Sequence, residues 1–221
     1  MRKRRPADAE ATHEIVQLAA RLLARGEALG IGHAIEKALR LTGQRGPAAA
    51  PDALRVFFAL LDYQRLFERD SIAARTAHLR ETALQVMGVL EVFSPRLHGP
   101  VLYGTPLPDT AVGLHLHSDE TEAVSRHLLE RRVPFRLNAS QNSQGRTTPA
   151  RWPVFECERR GVALALTVLP RSALRQRPRS TLTGGPVPSI DAQTLQIRLQ
   201  EDPDGPWLEE VPRQPLDFNR R

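Results

Sequence analysis

Cysteine is all but missing from this sequence: Cys157 stands alone. A single thiol excludes an internal disulfide and any cysteine-rich zinc centre, and it fits a reducing, cytoplasmic setting. Lysine is nearly as scarce. Of 31 basic residues, Lys3 and Lys37 are the only lysines and the rest are arginines. No stretch reaches the ~18 consecutive apolar residues of a membrane-spanning helix, so no membrane partner is expected. The opening Met1-Arg-Lys-Arg-Arg5 runs into Pro6, Asp8 and Glu10 rather than an apolar segment, so a secretory signal is not expected either. No Gly-x-x-x-x-Gly-Lys-Ser/Thr phosphate loop is present. Ser71, Ser118 and Ser125 lack the glycine-flanked turn of a hydrolase nucleophile.

What is present suits an ordinary globular protein. The chain has 221 residues, 41% hydrophobic and 25% charged, enough for one sizeable domain or a smaller one with a helical annex. A net charge of +6 fits a polyanionic partner such as nucleic acid. The arginine skew, together with abundant Ala and Pro, also matches GC-rich coding, so the charge is only partly a functional signal.

The first half reads as helix. Ile15, Leu18, Ala19, Leu22 and Leu23 recur at helical spacing, and Ala34, Ile35, Ala38 and Leu39 resume the pattern after Gly26, Gly30 and Gly32. Residues 1–46 are therefore a helical hairpin. It has the loose outline of a helix-turn-helix, but Lys37 and Arg40 are the only cations of its second helix, and a hairpin that simply packs is the favoured reading. Residues 44–51 read as a linker. Residues 52–94 form two long amphipathic helices, the first capped by Asp52 and the second by Asp70-Ser71, with Phe57, Phe58 and Phe67 as core.

Pro95 closes the helical half. Val101–Tyr103 and Val112–His117 read as the first strand pair. A helix over Thr121–Arg131 follows, capped by Ser118 or Asp119. Pro134–Asn138 is a further strand and Asn138–Ala150 a mobile loop. Val154–Glu158 and Val162–Leu169 make a hairpin. Leu174–Pro188 is loop, Ile190–Leu199 a last helix, and 201–221 a flexible tail. The fold class is α+β: an N-terminal helical region, then a mixed or antiparallel sheet with flanking helices over 95–200.

The segment 95–170 resembles the nucleotidyltransferase fold of the DNA polymerase beta family. It is also similar to a proteobacterial nucleotidyltransferase-like group sharing the Gly99–Thr105 turn, the Leu114-His115-Leu116 strand and Leu174-Arg175-Gln176. Some members of that group bear a cell-wall amino-acid ligase name, which the missing phosphate loop does not support. The resemblance implies two Mg²⁺ ions held by an Asp-x-Asp strand and a third acid on a later strand. Gly99 and Gly104 match the family's glycines, and Pro108-Asp109-Thr110 resembles the lead-in to the acidic strand. Pro100 stands where Ser is expected, the Asp-x-Asp falls on Ala111-Val112-Gly113, and Ala163, Ala165 and Thr167 occupy the third acid's strand. The frame is present and the metal ligands are not.

Alternation puts Ala111, Gly113, His115 and His117 on one strand face and Val112, Leu114 and Leu116 on the other. The histidines thus stand on the face where the family's acids would stand. Either they contact a phosphate or metal, or they are solvent-side residues of a half-exposed strand; His-x-His nominates no third metal ligand. The expectation is a protein that has lost metal-dependent transfer and binds nucleotide or nucleic-acid phosphate, leaning away from an enzyme, with no cofactor. Its ligand-binding residues are Gly99, Gly104, Thr105, His115, His117, Arg171, Arg175 and Arg177. One alternative is an active transferase using Mg²⁺ on Asp109, Asp119 and Glu120. Another is a protein-interaction module built on the 52–93 helices. Cys157, with no His or Arg at fixed short spacing, reads as structural, and the oligomeric state is open.

Overall fold

The structure, a computed structural model, describes residues 6–44, 50–139, 152–179, 185–205 and 207. The expected linker over 45–49, most of the loop over 140–151, part of the 174–188 loop and the tail from 208 onward lie outside the described residues. Among those described, the protein is α+β, with seven helices and one six-stranded mixed sheet.

Two compact units divide the chain. The first runs to Ile72 and takes in Leu107–Asp109; the second holds Ala73–Pro106 and the chain from Thr110 onward. The expected pair of helices over 52–94 is thus shared out, with the boundary inside the second of them. In the first unit, α1 (Pro6–Ala24), α2 (Ile31–Leu41) and α3 (Ala53–Phe67) bury Ile15, Ala19, Leu23, Ala34, Ile35, Ala38, Val56 and Leu60 in one core. Small alanines at helical spacing let the helices approach closely, and Leu107 packs against the same core. Asp52 caps α3 as expected, its Oδ1 accepting from the Leu54 N–H at 2.9 Å. The aromatic stripe does not hold as core. Phe57 is buried, whereas Phe58 lies at the exposed boundary and Phe67 is 72% exposed, because Phe67 sits in the last turn, past the buried stripe. Lys37 is committed to Glu27, at 3.2 Å from Oε2 and 3.1 Å from the carbonyl oxygen.

The next helix, α4 (Arg69–Val89), begins at Arg69 rather than behind an Asp70 or Ser71 cap. Asp70 lies in its first turn, and Ser71 donates back to the Glu68 carbonyl. The sheet then starts earlier than expected. Arg96–His98 is β1, and Pro100–Tyr103 is not a strand but a four-residue helix, α5. Proline at its first position and Gly104 at its end, with φ +75°, explain the short helical turn.

The second unit continues with β2 (Val112–His117), α6 (Thr121–Glu130), β3 (Phe135–Ala139), β4 (Pro153–Arg159), β5 (Val162–Leu169), β6 (Ser189–Ile190) and α7 (Ala192–Glu201). Strand order is β3-β4-β5-β2-β1-β6; β2 and β5 run parallel and every other pairing is antiparallel. Arg160 and Gly161, both at positive φ, close the β4–β5 hairpin. Neither expected side chain caps α6: Ser118 Oγ accepts from Glu120 N–H, and Asp119 is engaged elsewhere.

The sheet is two-sided. Leu97, Val112, Leu114, Leu116, Phe155, Leu164, Leu166, Val168 and Ile190 form one buried apolar face, and α4, α6 and α7 add Ala83, Val86, Met87, Val124, Leu128 and Leu195 to this unit's core. Leu114, fully buried at the centre of β2, makes the cleanest probe of that core. Leu114→Ala is expected to lower unfolding free energy by about 2–5 kcal/mol through lost burial and a residual cavity. Urea denaturation followed by tryptophan fluorescence measures this, since Trp152 and Trp207 both lie in the sheet unit.

Candidate functional site

Strand parity builds the other face of the sheet. One cross-strand row reads Arg136, Glu156, Ala165, Gly113, His98, Ser189, and the next reads Asn138, Val154, Thr167, His115, Arg96. Apart from Val154 and the buried Leu169, which pairs with His117, the face is polar or small in side chain. On β4 and β5, Glu156, Glu158 and Ala163 are exposed and Ala165 and Thr167 half-buried; toward β1 and β6 the face closes over, with His115, His117 and Ser189 buried.

His98 organises the closed end. Its imidazole stacks on that of His115, with ring centroids 3.8 Å apart and planes within 19°. The stack requires Gly113: a Cβ there would stand 3.0 Å from His98 Cε1 and Nε2. His98 Nε2 is sealed from solvent and has no hydrogen-bond partner among the described residues. Burial pushes the His98 pKa down to about 4. For His115, burial leads and His98, His117 and Arg96 add like charge, taking it down to about 2. Both rings are neutral at physiological pH. His117 is also shifted down, mainly by burial, against the opposing effect of its Nδ1–H, which donates to the Ser94 carbonyl at 2.8 Å.

Arg96 is held within the fold. Its Nε donates to Ser189 Oγ at 3.1 Å and Nη2 to the Ser189 carbonyl at 2.9 Å, while Nη1 lies 3.5 Å from Asp191 Oδ2. The free cations lie elsewhere. A 3-10 turn over Arg171–Leu174 follows β5, and its Arg171 N–H donates to Asp119 Oδ1 at 3.0 Å. The Ser118 N–H donates to the Leu169 carbonyl at 2.8 Å. These two bonds tie together the carboxyl ends of the parallel strands β2 and β5. Arg171, Arg175 and Arg177 are exposed there and make no side-chain ion pair among the described residues.

The structure thus gathers His115, His117, Asp119, Glu120 and Arg171 on and beyond β2 and β5. Gly99, at φ +79°, opens α5 directly after β1, and Gly104 and buried Thr105 close it, with Thr105 N–H on the Pro100 carbonyl at 2.9 Å. Asp109 belongs to the helical unit. Sequence reasoning missed Arg96, His98, Glu156 and Glu158. The alternation Val154, Glu156, Glu158 against Phe155, Cys157 would have found the two glutamates. Nothing local marks His98. Among the described residues, no group of three or more His, Cys, Asp or Glu is arranged to hold a metal. Burial raises the Cys157 thiol pKa to about 11, in keeping with a structural residue.

Two outcomes follow. Gly113→Ala is expected to break the imidazole stack and cost about 1–3 kcal/mol, read by urea denaturation and by the shifted ring resonances of His98 and His115. The pH dependence has a fixed sign. Both histidines have folded pKa values below the unfolded 6.5, so the unfolded chain binds more protons as pH falls. Stability present at pH 7 is lost below about pH 6.5, at a limiting ~1.4 kcal/mol per pH unit for each group. His98→Asn should flatten the pH 6.5–4.5 limb of the urea midpoint; an unchanged slope would count against a buried neutral His98. No protein-family model, curated protein or solved structure matches the chain.

Proposed function

We propose that the sheet unit is a nucleotidyltransferase-like domain that has lost metal-dependent transfer and binds a nucleotide or a nucleic-acid phosphate backbone. The observation that carries this reading is the Asp119–Arg171 tie, which fastens the arginine-bearing segment to the carboxyl ends of two parallel strands. Open sheets bind ligands outside the carboxyl ends of their parallel strands, and exposed guanidinium forks pair with phosphate oxygens. Arg171, Arg175 and Arg177 supply the charge in this reading. Neutral His115 and His117 line the face beneath as hydrogen-bonding groups, and the Gly99–Thr105 turn supplies backbone.

Transfer chemistry finds weaker footing. Ala111 has no metal-binding atom, and the space above Gly113, where a carboxylate would stand, holds the His98 ring. Among the substitute acids, Asp119 Oδ1 already accepts the Arg171 N–H. A second reading, protein interaction through the helical unit, draws on Leu66 and Phe67, which are 75% and 72% exposed on α3. Light scattering at two concentrations tests whether the partner is another copy.

For the phosphate reading, fluorescence anisotropy with labelled ATP and a short single-stranded RNA, titrated across salt, is the direct measurement. Combined alanine substitution of Arg171, Arg175 and Arg177 is expected to weaken binding at least tenfold at low salt and to lower the salt slope by about 2–3. Absence of any salt-dependent affinity in the wild type would sink the reading.

A further inference from the structure

Arg80 lies in the interior of α4 with no exposed surface. It makes no ion pair among the described residues. Burial lowers its pKa to about 9, against the raising influence of Asp202 and Asp204. Its partners are four backbone carbonyls. Nε donates to Val101 at 3.0 Å and Nη2 to Leu102 at 3.0 Å, both in α5. Nη1 donates to Pro203 at 3.0 Å and Gly205 at 2.9 Å, both beyond α7. The Trp207 ring covers the guanidinium, 3.5 Å from Cζ to ring centroid, and is itself buried.

The segment after α7 is shaped for this contact. Asp202 Oδ1 accepts the Gly205 N–H at 3.0 Å, and the Trp207 indole N–H donates to the Asp202 carbonyl at 3.0 Å. A Cβ on Gly205 would run into the Asp202 carboxylate. Residues 202–205 and 207 therefore do not behave as the expected flexible tail: they form a closed loop capped by an indole.

We propose that Arg80 is a positioning residue for the Gly99–Gly104 turn, and that Asp202–Gly205 with Trp207 acts as a strap whose docking orders that turn. One guanidinium serves both. The Val101 and Leu102 carbonyls belong to a helix too short to satisfy them internally, and Arg80 supplies their donors. When the strap leaves, the charged Arg80 loses two acceptors and its aromatic cover, and water reaches Nη1 in their place. It then draws toward water and releases the turn. Because the turn is a ligand contact in the function proposed above, this inference rests on that reading for its ligand part: strap docking and ligand binding favour each other, reciprocally.

The test uses the full chain and the variants Trp207→Ala, Gly205→Ala and Trp207→Phe, with amide hydrogen exchange and ATP titration calorimetry. Trp207→Ala and Gly205→Ala are expected to speed exchange at Tyr103 and Thr105 at least fivefold while the β2 and β5 amides stay protected. Trp207→Phe, which keeps a ring over Arg80, should stay near wild type. ATP affinity should fall at least fivefold in the first two variants, and saturating ATP should slow exchange at Gly205 in the wild type. A strap that exchanges faster while Tyr103 and Thr105 do not change overturns the proposal, as does measurable ATP binding of equal affinity in all four chains. Coupled exchange with no ATP binding supports the strap and overturns the nucleotide reading alone.

Discussion

The parity of β2 governs the sheet unit. Val112, Leu114 and Leu116 must all be buried, and in a strand that requirement sends Gly113, His115 and His117 to the opposite face. A slip of one residue against β5 would turn two imidazoles into the apolar core and three aliphatic side chains onto the opposite, polar face. The parallel β2–β5 register then transmits the division outward, placing Ala165 and Thr167 beside Gly113 and His115, and Glu156 beside Ala165. The contrast between a sealed core and a polar, small-residue face thus follows from where the apolar residues of one six-residue strand must go.

On that face, Gly113 and His98 explain each other. A glycine in the middle of a strand costs stability and is kept where something must come close; here an imidazole lies across it and stacks on the next histidine. The same contact bears on function. It lays two neutral rings across this position, so an acidic side chain introduced at Gly113 would meet the His98 ring at once. The positive charge nearby stays on the exposed arginines beyond β5, where charge costs little to maintain.

What could be read without coordinates follows the range of the forces involved. The β2 strand and the β4–β5 hairpin were legible because period-2 alternation and the Arg160-Gly161 turn are local signals. The α1–α3 helices were legible from their apolar spacing. Val101-Leu102-Tyr103 misled because three residues of high strand propensity outvoted their flanks, although Pro100 and Gly104 are the boundary marks of a short helix. β1 was hidden by its length: Arg96-Leu97-His98 offers a single apolar residue. Phe67 failed as core because helical spacing tells which face a residue is on, not where the packing partner ends. At the site, the face was legible and its chemistry was not. His115 read as a phosphate or metal contact or as a solvent-side residue, whereas it is buried, and its stacking partner comes from another strand.

The same distinction explains why the tail was misread. Asp202-Pro-Asp-Gly205 has the composition of a solvated loop, and nothing nearby offers a reason for order. The reason lies 125 residues earlier in the chain, at Arg80. An arginine at a core position of a helix is itself an anomaly that sequence can flag, because a buried charge needs acceptors. Among the described residues no carboxylate pairs with Arg80, so its donors need carbonyl oxygens not already used by secondary structure. Those occur where backbone is irregular, at the end of a one-turn helix and in the loop after α7. One buried guanidinium therefore links two irregular segments, α5 and the loop after α7. Their common dependence on one side chain lets order in either stabilise the other.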